Sequence, residues 1–198
     1  MKILFASPER DLLESFKILL EADLGETVTA FDGTQVLSLL DNEQFDAAVI
    51  DREIPRVGYR ILTERAKEKK VPVIALINQP VSVKLLTEEP LPNGFLSFPF
   101  DAEGMKKAIR DTVDKAANGG EFDFAGTIID AAGFRMAGGQ SLTGWETDVL
   151  RALKEGKTVT TDDGAAISAL NIKFEKAGSK VRIRYIAGKG FETVTENE

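Results

Sequence analysis

Residues 47–55 read AAVIDREIP, an apolar run that stops at Asp51 with a proline four positions beyond it. An aspartate that closes a buried strand is either a working carboxylate or a polar stop. Little around it suggests turnover. The chain has no His, the commonest general acid, base and metal ligand, and no nucleophile–base pair or metal cluster is visible, so the reading is not an enzyme, with no cofactor and no metal. AGKG at 187–190 lacks the preceding strand and following helix that a phosphate-cradling loop requires. The second chemistry in the chain is cationic. Between residues 165 and 191, Lys173, Lys176, Lys180, Arg182, Arg184 and Lys189 face a single acid, Glu175, the footprint expected for phosphate contacts.

The 198 residues suit two small domains, and 43% apolar with 29% charged residues marks a globular chain. A net charge of −7 argues against indiscriminate binding to nucleic acid or membrane, although a total can hide a local patch. No apolar run approaches the roughly 18 residues of a membrane span. With zero Cys and no basic-then-apolar leader at the N-terminus, the expected location is the cytoplasm.

The elements that position Asp51 follow from periodicity. KILFA (2–6), TVTAF (27–31), FDAAVID (45–51), VPVIALI (71–77) and GFLSF (94–98) read as strands, the third and fourth as central parallel ones covered on both faces. Between them, helical stripes such as Leu12, Leu13, Phe16, Leu19 and Leu20 alternate with the strands, and residues 102–116 close the set. Alternation of this kind predicts a doubly wound α/β parallel sheet whose reactive edge lies at the carboxyl ends of the strands, here Ser7, Asp51, Ile77 and Phe98. Ser7-Pro8-Glu9 reads as a capped helix start, with Ser7 at the N-cap.

In their order, KILFASPE, AAVIDREIP, PVIALI and GFLSFPFDAE resemble the receiver domain of bacterial response regulators over residues 1–117. The resemblance implies a flavodoxin-like five-stranded domain with Asp51 in the phospho-acceptor position and Pro99-Phe100 matching the proline–aromatic pair after the family's Lys. The remaining pocket departs from the family pattern. Ser7 and Pro8 stand where an acidic pair is expected, leaving Glu9; Ile77 replaces a Ser or Thr; Phe98 replaces the Lys. Phosphoryl transfer needs Mg²⁺ on hard oxygen ligands and a cation to gather charge on the equatorial oxygens. Without the acids, the Lys and the hydroxyl, Asp51 is expected to be a carboxylate in a degenerate pocket, with Glu9 and Glu53 as the only substitute oxygens.

After a short glycine-bearing joint at 115–122, three turn-separated segments (EFDFAG, TIIDAAG, FRMAGGQ) predict a small antiparallel sheet. LTGWETDVLRALKEG predicts a helix with Thr143 as N-cap, Glu146 completing a capping box and Gly156 as stop, with Trp145 as a core anchor. A helix over 163–177 and a hairpin over 180–195 with its turn at Gly188–Gly190 complete the chain. LTGWETDVLRAL, KTVTTDD, ISALNIKFEKAG and RYIAGKGFE resemble the winged-helix effector of the OmpR/PhoB subfamily, so 118–198 is expected to be a small α+β winged-helix-like domain. Roughly twenty residues that the family carries before the recognition helix are missing, so one helix is shortened or two have merged.

The resemblance implies DNA contacts from a recognition helix (Asn171, Lys173, Lys176) and a wing (Arg182, Arg184, Lys189). It also implies a homodimer through the receiver-like domain, on a face around Val83–Leu86 and Lys106–Asp111. Three functions stay open: a phosphorylation-independent transcription regulator, a protein-interaction adaptor that binds a regulatory protein, and an active phospho-receiver. No membrane partner is expected.

Overall fold

The computed structural model describes residues 1–195. In chain order the elements are β1 (Lys2–Ala6), α1 (Arg10–Asp23), β2 (Glu26–Ala30), α2 (Gly33–Asn42), β3 (Ala47–Asp51), α3 (Tyr59–Glu68), β4 (Val73–Ile77), α4 (Val83–Thr87), β5 (Gly94–Ser97) and α5 (Ala102–Asn118). There follow β6 (Glu121–Phe124), β7 (Thr127–Asp130), β8 (Arg135–Met136), α6 (Gly144–Lys154), a 3₁₀ turn (Thr161–Asp163), α7 (Gly164–Lys176), β9 (Val181–Ile186) and β10 (Gly190–Thr195). They divide into two compact units. The first comprises Met1–Pro80 with Pro92–Asp114; the second comprises Val81–Leu91 with the chain from Lys115 onward. Among the described residues no helix is long and apolar enough to cross a membrane.

The first unit is a five-stranded parallel sheet of order β2-β1-β3-β4-β5. All five residues of β3 and of β4 are buried, as two-sided covering requires, whereas edge strand β5 is only half-buried. Alternation along the strands sends Ile3, Phe5, Val49, Ile74 and Leu76 to one face, where they pack with Leu13 and Leu20 of α1 and Met105 and Ile109 of α5. Helices α2 and α3, with Val36, Leu40, Leu62 and Ala66 buried, take the other face. Lys106 of α5 is buried yet bonds Asp23 at the end of α1 and, at 3.0 Å, Glu103. Its partners raise the Lys106 pKa, and Lys106 lowers that of Asp23.

The second unit carries the three-stranded antiparallel sheet β6-β7-β8, helices α6 and α7, and the β9-β10 hairpin. Thr143 caps α6, and the capping box with Glu146 is complete. A three-residue 3₁₀ turn, Thr161–Asp163, stands immediately before α7. The segment between β4 and β5 contains only five helical residues, and within the second unit α4 packs along α7. Leu85 and Leu86 are buried there.

Candidate functional site

The carboxyl ends of β1, β3, β4 and β5 bring Ser7, Asp51, Ile77 and Phe98 to one edge of the first unit's sheet, as the strand pattern predicts. Ser7 is fully buried, and its amide is tied to the Ala30 carbonyl at 3.1 Å. The Ser7 hydroxyl donates to Asp51 Oδ2 at 3.1 Å and accepts from the Glu9 amide at 3.2 Å. Asp51, 7% exposed, also accepts at Oδ1 from the Glu53 amide at 2.9 Å. Both carboxylate oxygens are therefore held by the protein's own uncharged donors, in the manner that satisfies a buried acid without a metal.

The expected helix start at Ser7 is corrected by this arrangement. Helix α1 begins at Arg10 with Glu9 at the N-cap, while the Ser7 hydroxyl accepts from the Glu9 amide as a cap does and gives its own proton to Asp51. Glu9 is exposed. The Glu53 carboxylate accepts from Asn78 Nδ2 at 3.1 Å. A cleft of about 280 Å³ is lined by Asp51, Arg52, Glu53, Leu76, Ile77, Asn78 and Gln79. Buried Ile77 offers it no hydroxyl. Phe98 is 37% exposed and begins an aromatic ladder: its ring lies 4.4 Å from Phe100, which lies 5.4 Å from Phe16, itself 6.1 Å from Phe5. Apolar side chains thus stand at the carboxyl ends of β4 and β5. Among the described residues no group of three or more His, Cys, Asp or Glu is placed to hold a metal ion.

The residues expected to contact DNA separate into two sets. The Asn171 amide is spent inside the second unit, donating from Nδ2 to the Ile183 carbonyl at 2.9 Å and accepting at Oδ1 from the Ile183 amide at 2.8 Å. Lys173 is 3% exposed, with Nζ at 2.6 and 2.8 Å from the two carboxylate oxygens of Glu146. Glu146 is fully buried and also accepts from the Thr143 amide and hydroxyl, at 2.8 and 3.0 Å. Burial pushes the Glu146 carboxyl up and the Lys173 ammonium down, each against the pull of the other's charge. Asn171 and Lys173 are thus corrected from DNA contacts to internal structure. Lys176, Arg184 and Lys189 are exposed, while Arg182 is half-buried and donates to the Ser179 and Val181 carbonyls at 2.9 and 2.8 Å.

Part of the expected dimer face is taken up inside the chain. Leu85 and Leu86 are buried in the second unit, and Lys106 is buried between Asp23 and Glu103. Lys107, Arg110 and Asp111 remain exposed on α5.

Comparison with known proteins agrees with the sheet. No family model matches the chain. A stretch of 75 residues, 37% of this chain, is 32% identical to the response regulator GtcR of Aneurinibacillus migulanus and covers 31% of that protein's length. Among solved structures, a response regulator receiver domain from Clostridium thermocellum matches 59% of this chain and 96% of its own at TM-score 0.51 and 24% identity. The first unit has the receiver fold. DrrB of Thermotoga maritima, an OmpR/PhoB homologue, matches 96% of this chain and 97% of its own at TM-score 0.56 and 21% identity. Identities this low speak for fold alone.

Beside that fold, two features escape the linear pattern. Ser7 serves Asp51 across 44 residues, and Glu146 serves Lys173 across 27. A signal for the second was present. Lys173 follows Ala166, Ala169 and Leu170 at seven, four and three positions, which puts it on the apolar stripe of α7.

Proposed function

We propose that the chain is a response-regulator-like transcription regulator that works in the cytoplasm without phosphorylation and binds DNA through its C-terminal unit. The observation that carries this reading is the pair of donors on Asp51. The Ser7 hydroxyl and the Glu53 amide each donate to one Asp51 oxygen, and at the neighbouring strand ends Ile77 and Phe98 supply neither a hydroxyl nor a cation. The receiver-fold unit then acts as a scaffold for pairing, and a homodimer through it doubles a modest cationic footprint. The footprint comprises Lys176, Arg182, Arg184 and Lys189. The likeness of DrrB, described as an OmpR/PhoB homologue, supports the same assignment.

The second reading is an adaptor that binds a regulatory protein. It is favoured by the loss of Asn171 and Lys173 to internal bonds. A polarisation titration of mixed genomic fragments at two salt concentrations separates the two. The proposal expects binding that weakens with salt, and expects Arg184→Ala with Lys189→Ala to lower the log–log salt slope by roughly one for each phosphate no longer neutralised. Absence of binding at low salt supports the adaptor.

A further inference from the structure

We infer that the connection Val81–Leu91 is a strap over α7, and that its release is a conformational switch of the second unit that loosens α7 and the hairpin together. The switch goes beyond the function proposed above and acts whether that unit binds DNA or a regulatory protein.

A connection between two paired parallel strands ordinarily packs back onto the sheet it joins. Here β4 and β5 pair in the first unit, from Ile74 with Gly94 to Ile77 with Ser97, but the stretch Val81–Leu91 between them belongs to the second. Leu85 and Leu86 of α4 are buried, α4 packs along α7, and Leu91 is buried at the far end of the stretch. Glu89 fastens that end, accepting at Oε2 from the Leu91 amide at 3.0 Å and from the Ser141 hydroxyl at 3.2 Å. Ser141 lies between β8 and α6, so the strap is tied to the second unit at two places.

Helix α7 depends on such covering. Only Ser168, Ile172, Glu175 and Lys176 of α7 are exposed, and its other faces pack on α4, α6 and β9. In turn α7 holds the hairpin, since Asn171 bonds both the amide and the carbonyl of Ile183 in β9. The strap itself is weak. Its helix has five residues, far below the roughly 12–15 at which a helix persists alone, so its order comes from packing on α7. Elements of this kind lie at the low end of local stability and are the ones that move. Release uncovers apolar surface of α7 and disturbs the footing of Arg182 and Arg184, the chain neighbours of Ile183.

Hydrogen–deuterium exchange of the full chain, read by mass spectrometry, tests the switch. Leu86→Ala should speed exchange across α7 and at the Ile183 amide by roughly tenfold or more, the scale of one emptied leucine site. If the stretch is a plain crossover, its leucines serve β4 and β5 instead. Exchange of α7 at the parent rate, with or without a change in β4 and β5, therefore overturns the inference. A second variant serves where Leu86→Ala does not fold. The chain has no Cys, so Leu86→Cys places a single thiol on the buried side of the strap with a smaller loss of volume. Labelling of that thiol should be slow in buffer and should rise with urea in step with α7 exchange. Immediate labelling in buffer, or a rise that follows β1 and β3 while α7 stays protected, overturns it.

Discussion

Lys173→Met is expected to destabilise the second unit by about 3–5 kcal/mol, because it strands the Glu146 carboxylate in the interior. Glu146 is fully buried, and Lys173 is the cation bonded to both of its oxygens. What remains in the variant is acceptance from Thr143, which serves the cap of α6 and supplies no charge. Adding Glu146→Gln removes the stranded charge while keeping a side-chain oxygen for the Thr143 amide, so the double variant should recover more than half of the loss. Urea unfolding followed by Trp145 fluorescence reads the effect, since Trp145 adjoins Glu146 and its indole N–H donates to Asp163 Oδ1 at 2.9 Å. The pH dependence has a definite sign. Burial holds the folded pKa of Glu146 above its unfolded value, and removing Lys173 removes an opposing influence. The folded variant therefore binds more protons than the unfolded chain, so its stability is highest below the unfolded pKa and falls as pH rises through the folded one. The deficit of Lys173→Met should shrink on acidification, and that of the double variant should not.

Gly33→Ala should cost the first unit about 2–3 kcal/mol, as overpacking of a closely packed site does. The Gly33 amide donates to the Pro55 carbonyl at 2.9 Å, and a Cβ at this position would lie 2.5 Å from the Val57 carbonyl oxygen and 2.6 Å from the Val57 Cβ. Neither neighbour is the free end of a long side chain, so backbone must move. The backbone concerned is the loop that follows Asp51, also held by an ion pair between Asp32 and Arg56 at 3.2 Å. Thermal unfolding of the variant measures the loss. A transition at the parent temperature would show that the two loops are not packed as described.

Most of the fold was legible in the chain because local rules govern it. Parallel strands announce themselves as short apolar runs, and the capping box of Thr143 and Glu146 spans only three positions. The reactive edge followed from strand order, since carboxyl ends converge in any doubly wound sheet. Side-chain partnerships were not legible. Ser7 reads as a helix cap because Ser-Pro-Glu has that local preference, and its oxygen does accept from the Glu9 amide; the donation to Asp51 depends on the adjacency of β1 and β3 in the sheet and has no local signal. Lys173 and Asn171 read as exposed because Lys and Asn usually are. A buried carboxylate on α6 and the open backbone of β9 reverse that preference. The stretch between β4 and β5 is too short for a periodic signal, so its packing against α7 had no trace in the pattern.

The central claim is that Asp51 keeps the position of a phospho-acceptor without its chemistry. Intact-mass measurement of the chain after incubation with a small phosphodonor and Mg²⁺ tests it most directly. An unchanged mass is the predicted result. A gain of one phosphoryl group that disappears in Asp51→Asn would contradict the account.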